Sequence, residues 1–290
     1  MLSILIPTYN YDCYDLVKEL HRQATELNIE FEIIVADDCS QTYKEKNKLI
    51  KLFSHTTYIE LDKNIGRSKI RNFLADTAIY PYLLFMDCDA EVSRKDYISK
   101  YIKHCEPNCC IIGGTSYDEK ENNPKYSLRL KYGRQREANN NYIKRFVPFN
   151  FLIDKDLFNK VRFNETIRGY GHEDSLFGAQ LKQHTTYINI NNPLIHKGLD
   201  ENNIFLQKTE IATKNLWILT QNNKHKYLIQ ESSLLQTYYK LKKLHMVNFI
   251  NILFNITQPI LKKQLTSKNP SLFLFDCYKI GYLCHISNKI

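Results

Sequence analysis

The chain has 290 residues, of which 43% are hydrophobic and 24% charged. It is too apolar for disorder and long enough to bury the core of one large domain, or of one domain with an appendage. Its eight cysteines form no C-x-x-C pair and are too sparse for a disulfide scaffold. The net charge of +9 is uneven: residues 1–200 carry 28 Lys+Arg against 27 Asp+Glu, and residues 201–290 carry 12 Lys, no Arg and 4 acids.

In chain order, the apolar run Leu2–Ile6, ended by Pro7, predicts a buried strand. Leu16, Val17, Leu20, Ala24 and Leu27 recur at helical spacing, with Asp12 and Asp15 placed to cap the start. Phe31–Ala36 predicts a second buried strand, stopped by Asp37 and Asp38, and Thr57–Leu61 a third. Ile70, Phe73, Leu74 and Ala78 mark a helix after Gly66, and Tyr82–Met86 a fourth strand ending at Asp87. Ser93 and Asp96 open a helix that buries Tyr97, Ile98, Tyr101 and Ile102, and Cys109–Ile112 is a fifth strand. This α/β alternation, with strands apolar on both faces, predicts a mostly parallel sheet covered by helices. Ligands in such sheets sit beyond the carboxyl ends of the strands.

Residues 116–147 are polar and basic, around Asn139–Asn141 with Lys144 and Arg145, and predict a long functional loop. Order resumes at Val147–Ile153. A loop with Gly169 and Gly171 leads to a helix from about Asp174, and Thr186–Ile190 and Leu194–His196 are short strands. From Glu201 onward the pattern is helical, with Pro259 and Pro270 as turn signals. The N-terminus lacks the basic start of a signal peptide, and no apolar run reaches the roughly 18 residues of a bilayer span. A cytoplasmic location is the resulting expectation.

The residues after the strands carry the chemistry. Asp87-Cys88-Asp89 offers two carboxylates that can hold Mn²⁺ or Mg²⁺ while phosphate oxygens complete the shell. The alternative is a capping turn, and Cys88 is expected to point into the core. Asp37 and Asp38 can accept hydrogen bonds from a base or a ribose, or simply form an Asx-type turn. Pro7, Thr8, Tyr9 and Asn10 lie on the same rim, where Thr8 and Tyr9 could border a base. Asn64-Ile65-Gly66-Arg67 turns into a helix N-terminus, which favours anions, and Arg67 and Arg71 are four residues apart and can face one diphosphate. The alternative there is a solvated helix face. Gly171-His172-Glu173-Asp174 places acids at a helix start after a flexible loop; a carboxylate there can act as general base or only as a cap. His196, before Lys197 and Gly198, gains interest because two carboxylates already suggest a metal. Asn150, on the strand entering the acceptor side, is a candidate for orienting a sugar hydroxyl.

In this order, Ser3–Asn10, Val35–Ser40, Asn64–Arg67 with Arg71-Asn72, Asp87/Asp89 and Gly171–Asp174 resemble the inverting glycosyltransferase family 2, which includes bacterial polysaccharide and lipopolysaccharide transferases. The resemblance covers about residues 1–200. It implies a GT-A fold over 1–200, with a nucleotide-sugar half (1–115) and an acceptor half (116–200), followed by a helical region over 201–290. It implies donor contacts from Pro7, Thr8, Tyr9, Asp37, Asp38, Asn64, Gly66, Arg67, Arg71 and Asp87. It further implies metal ligation by Asp87, Asp89 and His196, acceptor contacts from Asn150, Gly171, His172 and Glu173, and Asp174 as base. Relatives often have Gly-Gly-Glu where this chain has Gly171-His172-Glu173, so His172 narrows the acceptor loop. The activity implied is metal-dependent transfer from a nucleotide sugar, UDP by family frequency, to a glycan or lipid-linked glycan in surface polysaccharide synthesis.

Two other classes compete. A sugar nucleotidyltransferase needs a Gly-rich basic loop after the first strand, and Pro7–Asn10 has no glycine. A non-catalytic scaffold or nucleic-acid binder would suit the basic pI but leaves acids at three successive rim positions unexplained. The basic residues 201–290 lack Arg, which argues against nucleic acid. Lysine interleaved with aromatics suits an anionic membrane surface, at which the protein would be peripheral on the inner face. The alternative is a solvated helical face with the aromatics packed inward.

Overall fold

A computed structural model of the protein describes residues 1–138, 146–166, 171–221 and 226–288. Asn139–Asn141, Lys144, Arg145 and Gly169 lie outside the described residues. The chain divides into two units, the first Met1–Asp118, Glu137–Arg168 and Leu176–Gly198, the second Glu119–Arg136, Gly169–Ser175 and Leu199–Ile290. The second unit therefore gathers the last ninety residues with two segments from within the first 200.

The strands are β1 (Leu2–Thr8), β2 (Phe31–Asp37), β3 (Thr56–Glu60), β4 (Tyr82–Met86), β5 (Ala90–Glu91), β6 (Cys110–Ile112), β7 (Thr115–Ser116), β8 (Asn150–Asp154), β9 (Ile188–Asn189) and β10 (Leu194–His196). The helices are α1 (Tyr14–Glu26), α2 (Lys44–Lys48), α3 (Arg67–Thr77), α4 (Tyr97–Ile102), α5 (Ser127–Tyr132), α6 (Lys155–Val161), α7 (Glu173–Leu181), α8 (Asn202–Gln221), α9 (Leu228–Glu231), α10 (Ser233–Lys243), α11 (Val247–Leu265) and α12 (Leu272–Ser287).

The first unit is built on a seven-stranded sheet in the order β3-β2-β1-β4-β8-β6-β9. It is parallel except at β8, which runs antiparallel between β4 and β6. Side chains alternate between the two faces of each strand. Ile4, Ile6, Ile33, Val35 and Leu84 join Leu16, Val17 and Leu20 of α1 and Tyr97 and Ile98 of α4 in one layer. Leu5, Ile34, Leu83, Phe85 and Phe151 join Ile70 and Leu74 of α3, Phe158 of α6 and Phe177 of α7 in the other. Helices on both faces account for the continuous apolar strands read from the sequence. A small second sheet, β5-β10-β7, pairs Ala90 with His196 and Glu91 with Ile195.

Some local expectations change. The polar stretch after residue 116 contains α5, whose Leu128 and Leu130 are buried. Helix α6 follows β8 directly, capped by Asp154, which accepts from the Leu157 N–H at 3.0 Å. Asp96 makes no capping bond at α4 and instead pairs with Arg94 at 3.0 Å. Thr186–Ile190 shortens to the two residues of β9. Pro259 marks no turn and sits inside α11.

In the second unit, Leu128, Phe205, Phe254, Leu265, Phe275 and Tyr278 form one cluster, and Trp217, Leu235, Tyr238 and Leu283 another. Several of the C-terminal aromatics are thus core residues. Gly281 of α12 lets α11 approach closely, because a Cβ there would run into the Phe254 ring. No single helix among the described residues is long and apolar enough to cross a membrane; α10 and α11 pass that test only as a pair bent by 117°.

Candidate active site

In the first unit the carboxyl ends of β1, β2 and β4 bring the candidates to one rim, but the residues divide the work differently from the expected scheme. Asp37 is fully buried and accepts from the Ser40 N–H at 2.6 Å and from the Tyr58 hydroxyl. Burial and that hydrogen bond raise the Tyr58 phenol, so it stays a donor. Asp37 therefore holds the turn after β2 and departs from the donor contact expected of it. Asp38 is also buried; its two oxygens accept from the N–H groups of Ile65 (2.6 Å) and Gly66 (3.0 Å), while Asn64 Nδ2 donates to the Asp38 carbonyl at 3.1 Å. Asp38 and Asn64 thereby clamp the turn that launches α3. Gly66 caps that helix at φ +85°, a conformation that suits glycine, with open space where a side chain would stand. Exposed Arg67 begins the helix.

On β1, Thr8 is buried and donates to the Tyr11 carbonyl at 3.2 Å, whereas Tyr9 is exposed and half-buried Pro7 ends the strand's buried run. Asn10, at φ +52°, accepts from the N–H groups of Gln41 (2.6 Å) and Thr42 (3.2 Å) and ties the loops after β1 and β2 together.

The two carboxylates after β4 diverge. Asp87 accepts from Arg71 Nη2 at 2.8 Å, and the buried Arg71 guanidinium lies 5.3 Å from the Phe163 ring. Asn72, one residue on, exchanges hydrogen bonds with the Phe163 backbone at 2.9 and 3.0 Å, so its role is to anchor that segment under Arg71. Asp89 points the other way, with Oδ2 3.5 Å from His196 Nε2. Its carbonyl accepts from the Lys197 N–H at 2.8 Å, continuing the β5–β10 pairing. The His196 ring lies against Phe149 (5.0 Å between centroids) and Tyr117 (5.7 Å), which fix its plane. Gly198 abuts Asp89: a Cβ would stand 2.7 Å from the Asp89 Cβ and 2.8 Å from its Cγ. Cys88 packs towards the core as expected, and burial pushes its thiol up. The Tyr11 phenol is pushed up to about 12, by burial first and then by the Asp89 charge, which puts it beside this carboxylate. Among the described residues, no group of three or more His, Cys, Asp and Glu side chains is gathered for a metal. The structure joins Asp89 with His196 and leaves Asp87 with Arg71.

Asn150 is a correction. It is 1% exposed, donates to the Gly114 carbonyl, and accepts from the Tyr101 and Tyr97 hydroxyls. Both polar atoms of its side chain bond within the protein, a buried structural role that differs from the sugar contact expected of it. Gly113 lies against it with no room for a Cβ.

The remaining candidates belong to the second unit. Gly171 takes φ +96°, and a Cβ there would stand 2.7 Å from that of Ala212. His172, at φ +72°, has Nδ1 3.3 Å from Ser175 Oγ. Glu173 and Asp174 occupy the first turn of α7, where the helix dipole favours negative charge. Asp174 accepts from the Ser175 N–H at 2.7 Å; Glu173 is buried and Asp174 partly accessible.

Tyr11, Phe149, Tyr117 and Gly198 had no assigned role in the sequence. Gly198 carried one signal, a glycine two residues after a strand-end histidine.

The family model of glycosyl transferase family 2 matches residues 3–164. A teichoic acid poly(glycerol phosphate) polymerase of Staphylococcus epidermidis is 23% identical over 180 residues, 58% of this chain and 24% of that protein. The chain thus spans about a quarter of the length of that curated relative. A mannosyltransferase of Pyrobaculum calidifontis, solved with GDP-Man and Mn²⁺, is 13% identical at a TM-score of 0.61, over 99% of this chain and 86% of that one. TarS residues 1–349 of S. aureus, solved with UDP-GlcNAc, are 17% identical at 0.52, over 99% and 91%. At these identities the solved structures speak to the fold.

Proposed function

The chain belongs to glycosyl transferase family 2 and is a glycosyltransferase, and from that premise we propose a metal-assisted, inverting transfer from a nucleotide sugar, UDP-linked, to a hydroxyl of a glycan or lipid-linked glycan in surface-polymer synthesis. One observation carries the reading: the carboxylates after β4 part, Asp87 to a buried guanidinium and Asp89 to an imidazole from another strand. A turn that only capped a strand would need neither partner.

Asp89 offers a hard oxygen and His196 an imidazole nitrogen, a pair that would hold Mn²⁺ more readily than oxygen-preferring Mg²⁺, with substrate phosphate completing the shell. When bound, such a cation neutralises charge on the leaving nucleoside diphosphate. Arg71 holds Asp87 in place, and the N-terminus of α3 with Arg67 offers backbone N–H groups and positive charge to an anion. Tyr9 and the turn clamped by Asp38 and Asn64 border the nucleotide. Asp174 removes the proton from the acceptor hydroxyl as it attacks the anomeric carbon from the face opposite the leaving group. Gly171, His172 and Glu173 shape the acceptor loop. The UDP-GlcNAc and the GDP-Man with Mn²⁺ named for the two structural relatives support the donor class and the divalent cation, and the polymerase's name supports a surface-polymer acceptor. Residues 201–290 hold the enzyme at an anionic membrane, where a lipid-linked acceptor resides.

The test is release of nucleoside diphosphate from a panel of sugar nucleotides, with EDTA and with Mn²⁺ restored. Turnover should need the metal, and Asp89→Ala should abolish it while the protein stays folded. Full activity of that variant in EDTA would remove the metal from the scheme.

A further inference from the structure

The surface of α11 is at odds with a helix of a self-contained domain. Phe249, Ile252, Leu253, Ile256 and Ile260 are each 46–71% exposed. At 3.6 residues per turn they fall within an arc of about 100°. The opposite side of the helix carries Phe254, Leu261 and Leu265, which pack into the unit's core. Large aliphatic and aromatic side chains aligned this way are not the scattered apolar residues of an ordinary surface.

Along the chain the charges that flank the stripe are of one sign, and of these lysines Lys262 is paired with Glu210 of α8 at 3.1 Å. From Glu231 to Asp276 there is no acidic residue between them, and there are six lysines. Lys240, Lys242 and Lys243 end α10 just before the stripe, and Lys262 and Lys263 end α11 just after it. Leu244, in the break between α10 and α11, is exposed as well.

We propose that α11 lies in the plane of an anionic bilayer, with Phe249, Ile252, Leu253, Ile256 and Ile260 among the acyl chains and Lys240, Lys242, Lys243 and Lys263 on lipid phosphates. The proposal rests on the membrane-docking reading above and names the element that does it. It also moves the contact from the aromatics of the region, many of which are core, to an aliphatic face that the alternation of lysines and aromatics did not single out. Two arguments separate lipid from a second copy of the chain. Facing two such helices would set lysine clusters against each other with only Lys262 paired, to Glu210, whereas anionic headgroups complement the rest. The 19-residue helix is about 28 Å long. One face of it offers roughly 300 Å², well below the roughly 800 Å² per partner of a stable interface. An interfacial helix needs neither partner nor span, in keeping with α11 being too short on apolar length to cross by itself.

The experiment is flotation of the full chain with vesicles of phosphatidylcholine alone or with phosphatidylglycerol, at low and high salt. The wild type should float with the anionic vesicles only, and less as salt rises. Ile252→Asp with Ile256→Asp changes exposed side chains only, and should lower partitioning at least about a hundredfold while diphosphate release from a soluble donor stays unchanged. Phe249→Trp should show a blue-shifted emission on anionic vesicles. If the double variant floats like wild type, α11 is not the docking element, although membrane docking stands. If the wild type does not float at low salt, the docking reading fails with it. If sedimentation shows a dimer that the double variant dissolves, the occupant is a second copy and the proposal is overturned.

Discussion

Gly198→Ala tests whether the placement of Asp89 sets activity. The backbone at Gly198 is not in the positive-φ region, so alanine meets no conformational penalty there. Its obstacle is Asp89. The new methyl carbon would lie 2.7 Å from the Asp89 Cβ, whereas ordinary contacts begin near 3.4 Å. Relief by translation would need about 0.3–0.7 Å, but the Asp89 main chain is pinned by the Lys197 N–H at 2.8 Å. Rotation about Cα–Cβ moves the Asp89 Cγ, 2.8 Å from the new methyl, but not the Cβ, so the backbone must give by a few tenths of an ångström as well, and the change of rotamer swings the carboxylate by about 2 Å. That exceeds the roughly 0.5 Å that a working site tolerates. We expect kcat/KM to fall about a hundredfold, with higher demand for Mn²⁺ and a stability loss of about 1–3 kcal/mol from crowding. Diphosphate release against donor and Mn²⁺ concentration, with urea unfolding beside it, measures both. A folded Gly198→Ala enzyme with wild-type kinetics would refute the reasoning.

Asp174→Asn keeps the hydrogen bond to the Ser175 N–H but cannot take a proton; transfer should drop by about 10²–10⁴ while calorimetry shows donor affinity retained. Asn150→Ala removes the partner of two buried tyrosine hydroxyls and a carbonyl, so urea unfolding should show a loss of about 2–4 kcal/mol, and the acceptor KM of whatever remains folded should not change. The Arg162 guanidinium, bonded to Asp76 at 2.7 Å, holds that carboxyl below its usual range. Its contribution is present above the unfolded aspartate pKa and lost as pH falls through the lowered folded value. The pair is largely exposed, so Asp76→Asn should flatten the acid limb of the stability curve by no more than about 1 kcal/mol, seen in unfolding midpoints from pH 6 down to pH 2.

Local pattern determined much of this protein. Runs that are apolar on both faces need helices above and below, so β1, β2, β4 and their flanking helices were legible from side-chain alternation and spacing. The polar residues that end those strands had to lie on the sheet's carboxyl rim, which placed Asp37, Asp38, Asp87 and Asp89 together by pattern alone. What each of them does there was decided only by tertiary structure, because a carboxylate's role depends on the donors that face it from distant parts of the chain. Asp37 is taken by Tyr58, Asp38 by the turn at Ile65 and Gly66, and Asp87 by Arg71, which leaves Asp89 beside an imidazole more than a hundred residues away. Antiparallel β8 does bring Asn150 to the rim, opposite Met86, but its side chain is spent inside the protein among Tyr97, Tyr101 and Gly114. The C-terminal helices were foreseeable from composition. Which of their apolar faces is buried and which is left open was not, because that depends on the packing of α11 against α12, and helical spacing alone fits either side.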